Sequence, residues 1–204
     1  MPQTDGSGLP AFAALGGRSG RLERDRSLLL VVDIQERLAP HVADADALIA
    51  RTQALLAAAR LFAIPVLATE HCADRIGPLI ARLKSSLQPH EIYAKTRFGG
   101  ADHADFVDRL ARSARSQVVI AGMEAHVCVM QTALGVAVAG YEVFVVADAV
   151  SSRTVRPLDR TLALERMRSA GCTLVATETA LFEWTGAGDD AAFGQVLALV
   201  KSLP

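Results

Sequence analysis

From Leu28 onward the chain alternates between two textures: short uninterrupted apolar runs, and longer stretches with apolar residues three and four positions apart. "LLLVVDI" (28–34) is the first run, too short for a helix and apolar throughout, as expected of a strand buried on both faces. "DADALIARTQALLAAARLFA" (44–63) has helical spacing and must stop before Pro65, which cannot continue a helix. The same alternation predicts strands in "IPVLATE" (64–70), "HEIYAKTRF" (90–98), "QVVIAG" (117–122), "YEVFVVADAV" (141–150) and "CTLVATET" (172–179). Between and after them it predicts helices in "RIGPLIARLKSSL", "DHADFVDRLARSA", "HVCVMQTALGVAVAG", "PLDRTLALERMRSAG" and "DDAAFGQVLALVKSL". Six strands separated by helices imply a doubly wound three-layer α/β/α sandwich on a six-stranded, mainly parallel sheet with right-handed crossovers. Residues 1 to 24 are rich in Gly, Ser and charge without a period, and read as an N-terminal arm outside a domain spanning 25–204.

In open α/β sheets, ligands bind beyond the carboxyl ends of the strands. Those ends hold Asp33, then Thr69-Glu70-His71, Lys95-Thr96-Arg97, Gly122-Met123-Glu124, and finally Asp148 with Ser151-Ser152-Arg153. Polar and ionisable groups therefore gather on one rim of an otherwise apolar sheet. A carboxylate closing a buried strand is costly unless paired or hydrogen-bonded, so Asp33 either caps a neighbouring helix or works in a site. Lys95 is either a solvated loop lysine or a partner for such a carboxylate. Cys128 opens a helix that is apolar nearly all round, where the helix dipole and a nearby lysine would favour a thiolate. The plainer reading is a small core residue. Cys172, at the start of a strand, and Cys72, in a loop without a matching base, read as fillers or bystanders.

These residues fall into blocks, namely "LLLVVDIQERL", "YAKTRFGG", "VVIAGMEAHVCVMQTAL", "VFVVADAVSSR", "ALERMRSAG" and "TETALFEW". In order and setting the blocks resemble the isochorismatase-like cysteine hydrolases, a superfamily that includes nicotinamidases and N-carbamoylsarcosine amidases. "GMEAHVCVMQTAL" followed by "VADAVSSR" looks most like the branch containing the isochorismatase domain-containing proteins. The resemblance covers roughly residues 26 to 204. It implies a catalytic triad of Asp33, Lys95 and Cys128, a non-proline cis peptide at Met123–Glu124, and an oxyanion hole from the amides of Glu124 and Cys128. It implies hydrolysis of a small-molecule C–N bond of amide type through a thioester, with no cofactor, and a homodimer or homotetramer. Glu70, Phe98 and His126 are the further substrate-binding candidates; His126 is alternatively a helix-start residue bonded to backbone. The chain departs from the nicotinamidase pattern after the second strand, where "TEHCADRIGPL" lacks an Asp-x-His metal site. Glu70 and His71 could ligate a metal, but hydrogen-bonding roles suit such neighbours better, and no metal is expected. Phe98-Gly99-Gly100 also replaces the serine and phenylalanine common after the lysine block.

Composition narrows the alternatives. The 204 residues suit one domain with a sizeable core, half of them are apolar, and the net charge is −1 from 21 basic and 22 acidic side chains. No basic stripe recommends nucleic acid or an anionic membrane as a partner. No apolar run approaches the roughly 18 residues of a spanning helix, and the N-terminus has no secretory pattern, so a cytoplasmic location is expected. Three cysteines without a CxxC pair do not form a disulfide framework. A non-catalytic scaffold on the same fold is the main alternative, and it predicts no acyl adduct at Cys128. A dinucleotide site lacks its GxGxxG after the first strand. A peroxide sensor would need neither Lys95 nor an oxyanion hole, although oxidation of an exposed, low-pKa Cys128 is an expected side reaction. Trp184, the single tryptophan, is a core or interface anchor.

Overall fold

The computed structural model describes residues 20–204. Strands β1 (Ser27–Val32), β2 (Val66–His71), β3 (Ile92–Lys95), β4 (Gln117–Met123), β5 (Glu142–Ser151) and β6 (Thr173–Val175) form one sheet in the order β3-β2-β1-β4-β5-β6. Every pairing is parallel. All six residues of β1 are buried, which is why that run carries no polar alternation. Leu29 and Val31 enter an apolar layer with helices α1 (Ala45–Leu61), α7 (Thr177–Thr185) and α8 (Phe193–Lys201). Leu28, Leu30 and Val32 face the opposite layer, with α4 (Ala104–Arg112), α5 (Met130–Val138) and α6 (Pro157–Ser169). The sandwich is therefore three-layered. The order reverses between β1 and β4, and the crevice at a switch point opens above their carboxyl ends.

Several expected elements differ in extent, each for a local reason. The helix expected over 75–87 is two single turns, α2 (Ala73–Ile76) and α3 (Ala81–Lys84), because Gly77 sits at φ 78° and Pro78 follows. The strand expected over 172–179 ends at Val175, and Thr177 starts α7 instead. Asp148, at the end of the expected fifth strand, accepts hydrogen bonds from the Thr177 amide (2.8 Å) and hydroxyl (2.9 Å), satisfying an orphan donor of that helix. β3 is confined to four residues after a 3₁₀ turn at Pro89–Glu91. Of the arm expected over residues 1–24, residues 1–19 lie outside those described. Leu22 is buried in the core and its amide donates to the Glu183 carboxylate (2.7 Å). Trp184 is a core residue, with its indole N–H donating to the buried Ser27 hydroxyl at 2.9 Å. No helix among the described residues is long and apolar enough to cross a membrane.

Candidate active site

Three crossovers bring residues far apart in sequence to the β1/β4 crevice. β1 ends at Val32, and Asp33 takes a left-handed turn (φ 49°), a conformation that Asp tolerates better than most residues. Thr69 of β2, in register with Val32, donates its hydroxyl to Asp33 Oδ1 at 2.6 Å. On the other side β4 runs unusually close. Gly122 (φ 148°) pairs with Val32, and a Cβ there would lie 2.2 Å from the Val32 carbonyl oxygen. Only glycine allows this approach. Immediately beyond it the Met123–Glu124 peptide is cis, where the sequence resemblance placed it.

Lys95, the last residue of β3, reaches under β2 so that its Nζ lies 2.6 Å from Asp33 Oδ2, with both side chains wholly buried. The ammonium also donates to the carbonyls of Arg97 (3.2 Å) and Phe98 (2.9 Å). A buried ion pair of this kind is tolerable only when its remaining donors and acceptors are satisfied. The lysine meets that condition, whereas Asp33 Oδ2 has no hydrogen-bond partner beside the ion pair.

Cys128 lies in a five-residue π-helical stretch, Ala125–Val129, that precedes α5, so the helix expected to begin regularly at His126 starts with a wide turn. Such turns are uncommon and cluster at functional positions. The thiol is buried and interacts with both Asp33 and Lys95. Burial first, then the Asp33 charge, push its pKa far above the ordinary thiol range, and Lys95 offsets only part of this. Burial and the Asp33 charge thus oppose the thiolate that the helix start and Lys95 favour. Of the other cysteines, Cys72 is half-buried, while burial alone raises Cys172 to about 11.

The further candidates separate. The exposed Phe98 ring lies tilted by 33° against the His71 ring, with centroids 5.1 Å apart. Glu70 is not brought to the triad. It accepts from the Leu79 amide (2.8 Å) and pairs with Lys84 (3.4 Å), tying down the connection between β2 and α3. The His126 ring bonds to side chains rather than to backbone: Nδ1 meets the Ser152 hydroxyl at 2.9 Å and Nε2 lies 3.4 Å from Asp159. Glu124 turns its carboxylate to Arg153 (2.5 Å) and leaves only its backbone at the crevice. Two participants escaped the sequence reading. Thr69 could have been found from its position opposite Val32 at a strand exit. His71, expected from the sequence to hydrogen-bond rather than to hold a metal, has a buried Nδ1 without a hydrogen-bond partner. Burial, then the Lys95 charge, lower its pKa. No group of three or more His, Cys, Asp or Glu side chains placed to hold a metal occurs among the described residues.

The sequence pattern of the isochorismatase domain matches residues 27–179. The chain belongs to the isochorismatase family. Isochorismatase domain-containing protein 2 of Danio rerio is 34% identical over 80% of this chain and 81% of its own length. The structure of the MAR1 ribonuclease of Caenorhabditis elegans superimposes with a TM-score of 0.83 at 33% identity, covering 90% of this chain and 94% of that one. YcaC of Escherichia coli, described as an octameric hydrolase of unknown specificity, gives a TM-score of 0.81 at 28% identity over 88% and 90% of the two chains. An isochorismatase-family hydrolase fold thus carries the buried acid–amine–thiol cluster.

Proposed function

We propose that this chain is a cysteine-dependent hydrolase of a C–N bond, of amide type, in a small molecule. The observation that carries the reading is the Asp33–Lys95 pair, sealed from solvent at 2.6 Å, with the Cys128 thiol under the influence of both charges. A protonated thiol beside a carboxylate with an open acceptor site is arranged for general-base attack. Asp33 takes the thiol proton as sulfur bonds to the carbonyl carbon, and the carbonyl π electrons move onto oxygen. Lys95, which alone of the two favours the ionised sulfur, steadies the thiolate character that develops. The amides of Glu124 and Cys128 receive the oxyanion. Collapse expels the amine, which leaves with the proton held by Asp33. Water then cleaves the thioester, giving one proton to Asp33, and that proton returns to sulfur. Thr69 holds the carboxylate in the orientation all these transfers need.

The hydrolase description of the Escherichia coli neighbour is in line with this reading. A ribonuclease activity, suggested by the name of the nematode neighbour, finds little support in a chain of net charge −1 without a basic stripe. A cytoplasmic, oligomeric protein remains part of the proposal; the octameric neighbour and exposed Leu158 and Leu162 on one face of α6 favour assembly. The test is intact-mass measurement after incubation with a panel of small amides, native chain against Cys128→Ala. An acyl increment confined to the native protein is expected. Equal labelling of the two would sink the assignment, and no labelling with any acyl donor would favour the scaffold.

A further inference from the structure

A cavity of about 310 Å³ opens beside the crevice, over the carboxyl end of β5 and between α1 and α6. None of Asp33, Lys95 or Cys128 lines it. Its walls carry three guanidinium groups, Arg51, Arg153 and Arg160, against two carboxylates, Asp44 and Asp148. Asp44 makes no side-chain hydrogen bond or ion pair among the described residues, whereas Asp148 is engaged. Asp148 caps α7 and pairs with Arg51 at 3.4 Å. Arg153 is matched by Glu124 from outside the cavity. Arg160 has only carbonyl partners, donating through Nε to Val150 (2.9 Å) and through Nη2 to Ala147. It forms no ion pair, although Asp44 and Asp148 line the same cavity. The first turn of α6 adds to the same sign: Pro157 lines the cavity, and the N-cap is Arg156, with no side-chain cap on the orphan amides.

We propose that this cavity is a second binding site, one that takes a compact oxyanion, carboxylate or phosphate, against Arg51 and Arg160. Arg51 already donates to the carbonyls of Asp148 (3.2 Å) and Pro204 (3.0 Å), but each guanidinium keeps N–H groups beyond its present partners, and its planar fork suits either anion. The site touches the proposed catalytic turn at two points. Arg153 holds Glu124, and Ser152, also in the cavity wall, holds His126, two residues before Cys128. The test is titration of the full chain with inorganic phosphate and, separately, succinate, at constant ionic strength, followed by amide chemical shifts. Saturable shifts at 151–154 and in the first turn of α6 are expected with at least one anion, and which one binds identifies the source. Arg51→Gln and Arg160→Gln should weaken binding by about tenfold or more. Because Arg160 also supports β5, Thr154→Trp provides an independent block: its exposed side chain stands in the cavity wall. Absence of saturable shifts with both anions, or binding undiminished in Thr154→Trp, would overturn the proposal.

Discussion

Replacing Lys95 with methionine is the most direct probe of the buried cluster. Methionine keeps much of the lysine stem but removes the charge, and leaves Asp33 wholly buried without its 2.6 Å partner. Breaking a buried pair from one side costs about 3–5 kcal/mol, because the surviving charge stays desolvated. The Arg97 and Phe98 carbonyls also lose their donor, which places the expected loss in the upper half of that range. Single domains have about 5–15 kcal/mol in total, so the variant should fold but only marginally. With a urea dependence of about 2 kcal/mol per molar, a 4 kcal/mol loss lowers the unfolding midpoint by roughly 2 M. The double variant Asp33→Asn/Lys95→Met removes the stranded charge and should regain a substantial part of the loss. The assay is urea unfolding followed by tryptophan fluorescence, since Trp184 is in the core. A single-variant loss under about 1 kcal/mol, or a double variant no more stable than the single, would refute a charge held by its partner.

Alkylation of Cys128 by iodoacetamide, mapped by mass spectrometry, should accelerate about tenfold per pH unit and show no plateau below about pH 10; a plateau near neutrality would contradict a thiol raised by burial and Asp33. The same shift has a stability consequence: the folded chain retains a proton that the unfolded thiol loses. Its contribution is therefore full below the unfolded thiol pKa and wanes as pH rises above about 8.5. Gly122→Ala should cost more than about 3 kcal/mol, from both the Val32 contact and the positive φ, and a thermal midpoint within a few degrees of native would argue against the close β1–β4 approach. Light scattering should give a multiple of 21.6 kDa, reduced by Leu158→Asp/Leu162→Asp; a monomer for the native chain would end the oligomer proposal.

The sheet was legible because its strands are buried on both faces, so runs such as Leu28–Val32 carry an unbroken signal. Their exits were legible for the converse reason: a charge such as Asp33 stands out against that run. What the pattern could not reveal was local. Thr177 looks like strand continuation, and only Asp148, distant in sequence, turns it into a helix start. Glu70 and Lys95 occupy comparable strand-exit positions, yet one ties a surface connection and the other enters the cluster, because alternate residues of a strand face opposite sides. For Cys128 the helix start and the lysine are visible in sequence, whereas the burial that opposes a thiolate is not.

The strand order has a practical corollary. A cut in the connection between α4 and β4, at the exposed Ala114, would divide the sheet into two contiguous halves, β3-β2-β1 and β4-β5-β6. Asp33 and Lys95 would travel with one fragment and Cys128 with the other. Neither piece would own a complete set, so any chemistry recovered on mixing them would report the re-docking of β1 against β4.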